Sequence, residues 1–250
     1  MIPKVIHFVW VGGKPLTPLA EKCIASWKKY CPDYEIKRWD ETNFDINENQ
    51  FCREAYQCKK WAFVSDYIRM KVLYEEGGIY MDTDVEVIKS LDGFLNLKAF
   101  SGFESEKDIP TGIIAAEKGS EWIKKLLNYY SNKHFIKENN EMDTTTNVVI
   151  ITDITKENYK IELNNTIQDL GDVKIFSKEY FCPKSLTDGK IRKTKNTYTI
   201  HHFSGSWKKK SDKFKAKILQ FMKRVLGAKN IEKLKQKRNK KNESSSSSSK

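Results

Sequence analysis

The sequence predicts an α/β protein built around a mostly parallel β-sheet flanked by helices, followed by a basic helical tail. The first observation is a β-α-β order of residue patterns at the start of the chain. The second is a later apolar strand that runs into two aspartates, in GGIYMDTDVEV at residues 77–87. The third is the length of 250 residues with 39% hydrophobic residues, which is enough for one sizeable core.

The opening elements follow from their residue types. Residues 5–11 are β-branched and aromatic and end at two glycines, which predicts a buried first strand and then a loop. Thr17 and Pro18 are typical of a helix start. The apolar positions that follow are spaced for one helical face, at Ala20, Cys23, Ile24, Trp27 and Tyr30. Residues 34–39 alternate in polarity and predict the second strand.

The middle of the chain predicts a longer helix over about residues 60–76, which Gly77 ends. The next strand covers residues 79–81 and leads directly into Asp82, Thr83 and Asp84. A helix is expected near residues 121–130, and the polar residues 137–146 are typical of a loop. The other apolar segments are residues 99–103, 111–116, 148–152, 173–176 and 198–203.

Most of the positive charge lies near the C-terminal end. The net charge is +12, yet residues 208–250 contain 16 Lys and Arg against three acids, whereas residues 1–207 contain 29 basic and 30 acidic residues. This change in composition predicts three parts: a domain over residues 1–207, a basic amphipathic helical tail over 208–243, and a disordered serine-rich end over 244–250.

Two interpretations of the tail remain open. Its apolar stripe and basic face are typical of a helix that lies on anionic lipid, and equally of a last helix packed on the domain. Binding of nucleic acid is disfavoured, because no aromatic platform or known module accompanies the basic residues.

The same composition bears on location. No apolar run reaches the roughly 18 residues that span a bilayer, and the N-terminus lacks the pattern of a signal peptide. The five cysteines are odd in number and form no CxxC pair, which argues against a disulfide framework or a zinc ribbon. We therefore expect a cytoplasmic protein, with peripheral contact to the inner face of the membrane as an option.

The two aspartates at the end of a buried strand predict a metal site. Asp82 and Asp84 are two residues apart, so an extended chain places both on one side. Burying both charges without a cation is costly, and Mg²⁺ or Mn²⁺ is the natural partner of carboxylate oxygens. Ligands of open α/β sheets also bind at the carboxyl ends of strands. The alternative is a solvated turn that carries two acids.

A polar patch within the preceding apolar helix supports a ligand site. Ser65, Asp66 and Arg69 interrupt an otherwise apolar segment, and Asp66 and Arg69 share a helical face. Such a pair could hold a phosphate and a ribose hydroxyl. The alternative is a surface ion pair, worth less than about 1 kcal/mol.

Two further strand ends carry candidate residues. His201 and His202 end a predicted strand, and only one of them should point into a site because successive strand residues face opposite ways. A neutral imidazole can complete a metal shell of carboxylates. Trp10 ends the first strand and could stack on a base. The alternatives are a packed histidine and a core tryptophan.

Taken together, these motifs resemble glycosyltransferase family 32, which includes bacterial capsular-polysaccharide sugar transferases and relatives of yeast α-mannosyltransferases. The resemblance covers about residues 1–207. The motifs that carry it are IPKVIHFVWVGGKPLT, CIASWKKYCPDYEI, KKWAFVSDYIRMKVLYEEGGIYMDTDVEV, SKEYFCPKS and TIHHFSGSW.

The resemblance implies a GT-A-type nucleotide-binding fold and a set of site residues. Asp82 and Asp84 would form the metal-binding DxD, with His202, or alternatively His201, completing the metal shell. Contacts to the nucleotide sugar would come from Trp10, Ser65, Asp66, Arg69, Tyr80 and Trp207. Trp10 would stack on the base, and Arg69 would help to neutralise the leaving diphosphate.

The implied activity is a metal-dependent, retaining transfer of a sugar from a UDP- or GDP-sugar to a glycan or lipid-linked saccharide, in surface polysaccharide synthesis. Mn²⁺ or Mg²⁺ would be the cofactor. Asn147 is a further candidate sugar contact, and Glu104, Glu106 and Asp108 are candidate carboxylates near the anomeric carbon.

Three alternatives stay open. One is a protein rather than a saccharide as the acceptor. Another is a binding module that retains the pocket without catalysis. The third is a haloacid-dehalogenase-type phosphotransferase with Asp82 as its nucleophile, an architecture that should place the DxD after its first strand.

Overall fold

The computed structural model describes residues 1–109 and 112–205. The strands are β1 (Val5–Val9), β2 (Glu35–Trp39), β3 (Gly78–Met81), β4 (Val85–Val87), β5 (Ala99–Gly102), β6 (Ile113–Ala116), β7 (Gln168–Asp169), β8 (Lys174–Phe176) and β9 (Thr199–His201). The helices are α1 (Pro18–Tyr30), α2 (Gln50–Gln57), α3 (Trp61–Glu76), α4 (Glu121–Asn128), α5 (Asn147–Asn158) and α6 (Lys178–Phe181).

Seven of these strands form one sheet in the order β2-β1-β3-β6-β5-β8-β7. β1 is parallel to β2 and β3, and β5 is parallel to β8, whereas β6 and β7 run against their neighbours. Five of the seven strands therefore point the same way, as the mostly parallel prediction requires. The carboxyl ends of β1, β2, β3 and β5 lie at one edge of the sheet, together with the amino end of β6.

The opening elements form as predicted. Helix α1 begins after Thr17, whose hydroxyl oxygen accepts a hydrogen bond from the Ala20 amide at 3.2 Å, and Pro18 occupies the first helical position. Trp27 lies on the buried face of α1 and donates its indole N–H to the Val85 carbonyl at 2.7 Å. This bond ties α1 to the chain immediately after the DxD.

Both faces of the central sheet are covered, which explains the continuous apolar sequence of β3. Ile79 and Met81 pack in one hydrophobic cluster together with Trp27 of α1. Tyr80, on the opposite face, packs in the other cluster together with Val64 of α3. Each face of β3 thus contacts a helix, as expected for a strand of an α/β sheet.

The junction between α3 and β3 is held by a histidine that the sequence analysis did not single out. His7 is fully buried in β1, where its Nδ1 accepts a hydrogen bond from the Trp39 indole at 3.0 Å. Its Nε2 then carries the proton and donates to the Gly77 carbonyl at 2.8 Å. Gly77 ends α3 as predicted, with a φ of 72° that favours glycine.

A second, two-stranded sheet joins distant parts of the chain. β4 pairs antiparallel with β9, with Val85 opposite His201 and Val87 opposite Thr199. The pairing continues past the strand, because the His202 amide donates to the Asp84 carbonyl at 2.9 Å. This small sheet brings the segment that ends at His202 next to the DxD.

Residues 184–192 belong to a separate unit and form a short antiparallel turn, with Lys184 bridged to Ile191. Among the residues that the structure describes, no helix combines the length and the apolar character needed to cross a membrane. The predicted tail over 208–243 and the serine-rich end over 244–250 lie outside the described residues.

Candidate active site

The DxD lies in the turn between β3 and β4, at the carboxyl edge of the main sheet. The Asp82 amide donates to the Gly112 carbonyl at 2.9 Å, at the amino end of β6. The Asp82 carboxylate accepts a hydrogen bond from the Tyr80 hydroxyl at 3.0 Å. The side chains of Asp82 and Asp84 are 23% and 13% exposed, so a ligand can still reach both.

Arg69 of α3 forms ion pairs with two carboxylates, one of which is that of Asp82. Its Nη2 lies 2.9 Å from Asp66 Oδ1 and 3.4 Å from Asp82 Oδ1, and its guanidinium stacks on the Tyr80 ring at 4.5 Å. Its Nε also donates to the Ser65 carbonyl at 3.2 Å. The guanidinium is almost fully buried. The predicted patch of Ser65, Asp66 and Arg69 therefore lies against the DxD, and in this structure Arg69 contacts carboxylates of the protein.

Burial and neighbouring charges act against each other in this patch. Burial raises the pKa of Asp66 to about 6, and the neighbouring Arg69 only partly opposes it. For Arg69 itself, burial alone would lower the pKa, but the surrounding Asp82, Tyr80 and Asp66 raise it. Arg69 is thus a permanent cation beside the DxD.

Asp84 is held by the segment that follows β9. Its Oδ1 lies 3.2 Å from His201 Nε2, and its Oδ2 accepts a hydrogen bond from the Ser204 amide at 2.6 Å. Burial by itself would raise the pKa of Asp84, but the bonds from His201 and Ser204 hold it well below its usual range. The same contact acts on His201, where Asp84 outweighs burial and raises the pKa of the imidazole well above its usual value.

The structure corrects the expected choice between the two histidines. His202 points away from the DxD, and its Nε2 lies 2.7 Å from Glu86 Oε2, which also contacts Lys22 of α1. His201 lies beside Asp84 instead. Only one histidine faces the DxD, as expected, and it is His201 rather than the favoured His202, because the pairing of β9 with β4 sets which residue faces the DxD. Which histidine binds a metal stays a prediction.

The three side chains at this place have the chemistry of a hard metal site. One ligand atom each from Asp82, Asp84 and His201 lies within 4.8 Å of the others. Two carboxylate oxygens and an imidazole nitrogen suit a divalent ion such as Mn²⁺ or Mg²⁺. The donor set therefore fits the predicted metal.

Trp10 and Trp207 were predicted to contact the nucleotide sugar. Trp10 follows the carboxyl end of β1, the strand adjacent to β3, and is partly buried, with its indole N–H donated to the Lys14 carbonyl at 2.6 Å. It therefore lies at the same sheet edge as the DxD. Trp207 lies outside the described residues.

Of the three candidate carboxylates after β5, the structure relates one to the site. Burial raises the pKa of Glu104, an effect that His201 opposes and Asp82 reinforces, so Glu104 lies within electrostatic range of both. Glu106 pairs with Lys178, and Asp108 accepts a hydrogen bond from the Ser105 hydroxyl. Glu104 is therefore the candidate carboxylate whose pKa responds to the charges of the DxD and His201.

Asn147 also reaches the site, from the first turn of α5. Its Nδ2 donates to Asp66 Oδ1 at 3.1 Å. Its Oδ1 is buried and has no hydrogen-bond partner among the described residues. A buried acceptor without a partner is costly unless another group, such as a ligand hydroxyl, donates to it.

Gly112 is a residue that the sequence analysis missed, since its position against the His201 ring depends on contacts between distant strands.

Comparison with known proteins agrees with this geometry. The profile of the family described as "Glycosyltransferase sugar-binding region containing DXD motif" matches residues 18–101, which include the polar patch and the DxD. Residues 18–101 thus match a DxD-containing glycosyltransferase region. The predicted DxD glycosyltransferase is thereby confirmed, whereas its assignment to family 32 stays a prediction.

Individual relatives of this glycosyltransferase point the same way. The chain is 25% identical over 206 residues to an uncharacterized glycosyltransferase of Acanthamoeba polyphaga mimivirus, a match that covers 76% of each. It is 27% identical over 149 residues to inositol phosphoceramide mannosyltransferase 3 of Schizosaccharomyces pombe, which covers 54% of the chain and 40% of that relative.

The fold of the glycosyltransferase is also that of a solved structure. The PaToxG glycosyltransferase matches with a TM-score of 0.50 at 20% identity, over 63% of this chain and 70% of that one. The predicted GT-A-type α/β fold is thereby confirmed. The phosphotransferase alternative needed a DxD after the first strand, whereas the DxD here follows β3.

Proposed function

We propose that the chain is a metal-dependent, retaining glycosyltransferase that moves a sugar from a nucleoside-diphosphate sugar to a saccharide acceptor. The observation that carries the proposal is the meeting of Asp82, Asp84 and His201 at the carboxyl edge of the sheet. The histidine comes from 117 positions beyond Asp84, and the buried Arg69 adjoins the same carboxylates. A solvated turn would not require such a distant partner.

Asp82, Asp84 and His201 would hold the metal. A Mn²⁺ or Mg²⁺ ion there would supply positive charge that stabilises the diphosphate as it leaves. Arg69 keeps Asp82 in place and adds a fixed positive charge to the same region. His201 must give up its proton to act as a ligand, and Asp84 then keeps the ring in position.

The remaining residues would position the donor. Trp10 offers an aromatic surface to the base at the end of β1. Asn147, with its unpartnered Oδ1, would accept a hydrogen bond from a hydroxyl of the sugar. Asp66 pairs with Arg69 and holds its guanidinium in place, and the Tyr80 hydroxyl donates to Asp82 and orients its carboxylate.

Retention follows from attack on the face that the diphosphate leaves. The bond between the anomeric carbon and the phosphate oxygen breaks, the acceptor oxygen bonds to that carbon, and its proton passes to the departing phosphate. A double displacement would instead need a carboxylate at the anomeric carbon, and Glu104 is the candidate that lies near the DxD. Trapping a glycosyl group on Glu104 would establish double displacement instead of same-face attack.

The test uses the full chain with Mn²⁺ and a panel of UDP- and GDP-sugars, offered with saccharide acceptors and, separately, with protein acceptors. We expect slow donor hydrolysis without acceptor, faster turnover with a saccharide, and metal-dependent protection against thermal unfolding. Absence of hydrolysis and of nucleotide-dependent protection across the whole panel would refute the proposal. Transfer to protein acceptors alone would show that the acceptor is a protein rather than a saccharide.

We also propose that the enzyme is cytoplasmic, that it attaches peripherally to the membrane through residues 208–243, and that it acts in surface polysaccharide synthesis. The support is compositional: basic residues dominate this stretch, and an apolar stripe accompanies them. Full-length protein should float with anionic liposomes, and a chain that ends at Trp207 should not. Equal flotation of the two proteins would refute attachment through the tail.

A further inference from the structure

A second pocket lies beside the DxD edge and takes no part in the metal cluster. It has a volume of about 790 Å³ and lies where β1 and β2 end. Its lining includes Gly12, Lys14, Glu41, Tyr56, Lys59 and Trp61. Trp10, at the end of β1, is two residues before Gly12. The pocket is therefore adjacent to the residue that would meet the base of the donor.

One wall of this pocket is aromatic. The rings of Tyr56 and Trp61 meet edge to face at 5.2 Å between their centroids. The Gly12 backbone lies so close to the Trp61 indole that a Cβ at this position would come within 2.7 Å of it. The wall is tightly packed, and its aromatic rings can contact a planar ligand.

A carboxylate is fixed beside this aromatic wall. Glu41 Oε1 accepts hydrogen bonds from the Gly12 amide at 2.6 Å and from the Tyr56 hydroxyl at 3.0 Å. Its Oε2 makes no hydrogen bond to any of the residues that the structure describes. The carboxylate is therefore held in one orientation and keeps an oxygen free to accept. Two exposed lysines, Lys14 and Lys59, add donors to the same pocket.

We propose that this pocket binds the base of the nucleotide donor and that Glu41 selects guanine over uracil. The proposal rests on the proposed function and narrows its donor to a GDP-sugar. Guanine presents two adjacent donors, N1–H and the 2-amino group, and the two lone pairs of the free Oε2 can accept from both. Uracil presents one N–H between two carbonyl oxygens, which the carboxylate repels. The O6 and N7 acceptors of guanine suit the lysines.

The test is calorimetric titration of the full chain, in saturating Mn²⁺, with GDP, UDP and inosine diphosphate, which lacks the 2-amino group. We expect GDP to bind about 10- to 100-fold more tightly than UDP, with inosine diphosphate between them. Glu41→Gln should weaken GDP binding by about tenfold or more, and it should leave UDP binding unchanged or tighten it, because the repelling oxygen is replaced by a donor. Glutamine still accepts from Gly12 and Tyr56, so the fold should persist, and the melting temperature checks this.

Glu21→Gln, an equally conservative change of an exposed glutamate on α1, should keep the full preference for GDP. Equal affinity of the wild type for GDP and UDP, or an unchanged ratio in Glu41→Gln, would overturn the base assignment while nucleotide binding itself stands. If Glu41→Gln lost affinity for a saccharide acceptor but kept its affinity for GDP, the base assignment would be overturned and the pocket would be an acceptor site. If no nucleoside diphosphate binds, the proposed function fails together with the inference.

Discussion

Replacing Glu54 by glutamine should destabilise the protein in a way that depends on pH. Glu54 lies on α2 and is only 8% exposed. Its Oε2 accepts hydrogen bonds from the Phe135 and Ile136 amides at 2.7 and 3.0 Å, and its Oε1 contacts Gln50 and His134. One carboxylate thus fixes the segment that leads from α4 towards α5. In Glu54→Gln, the side-chain amide replaces one of these two acceptor oxygens with a donor.

The pKa of Glu54 sets the magnitude. Burial alone would raise it, but the hydrogen bonds that the carboxylate accepts lower it from 4.5 to about 2. A shift of this size corresponds to at most about 3 kcal/mol of stability at neutral pH. Allowing for the solvent-exposed His134, we expect Glu54→Gln to cost about 2 kcal/mol at pH 7. Because the folded pKa is depressed, this stability is complete above the unfolded value and disappears as the pH falls from 4.5 towards 2.

Urea unfolding followed by circular dichroism at pH 7 and pH 3 measures the effect. The difference between wild type and Glu54→Gln should shrink to about half at pH 3, and comparing the two proteins cancels the groups that they share. Glu138→Gln, an exposed position beyond the same segment, should match wild type at both pH values. A gap that is equal at the two pH values, or below about 0.5 kcal/mol at pH 7, would show that the carboxylate does not stabilise the fold in this way.

Three further predictions concern the metal site. Asp84→Asn should lower Mn²⁺-dependent donor hydrolysis by about 100-fold or more, although the asparagine can still accept a hydrogen bond from the Ser204 amide. Asp84→Ala would also leave the His201 cation unpaired, at a stability cost of about 3 kcal/mol or more. His201→Ala should weaken Mn²⁺ binding in calorimetry by about tenfold or more, whereas His202→Ala should change it by less than about threefold. Gly112→Ala adds a Cβ 2.7 Å from the His201 ring, so it should weaken Mn²⁺ binding while thermal unfolding stays cooperative.

The elements with strong local patterns were predictable from the sequence. The β-α-β opening and the helix before the DxD formed within a few residues of their predicted bounds, because β-branched runs, the Thr17 cap and Gly77 act locally. Helix α2 was not predicted, since its eight residues are too short a stretch to show a clear helical period, yet Phe51, Cys52 and Ala55 are buried by tertiary contacts. In this helix, tertiary packing rather than local sequence preference stabilises the helical conformation.

The parts of the site that depend on distant contacts were not predictable. The sequence indicates that one of two histidines faces the DxD, but the register of β9 on β4 decides that it is His201. Strands of three residues carry too little alternation to reveal such a pairing. The reversed direction of β6, which places Gly112 at the carboxyl edge of β3, is likewise a property of the whole sheet.

The pairing of β4 with β9 also has a consequence for biosynthesis. A chain emerging from the ribosome contains both aspartates long before Thr199 to His201 are made, so the DxD exists for more than a hundred residues of elongation without its third candidate ligand. The nascent chain therefore cannot assemble the metal cluster until most of the domain has been translated. Translation that stops early, even after the whole DxD region, would leave a polypeptide with the motif but without a complete cluster.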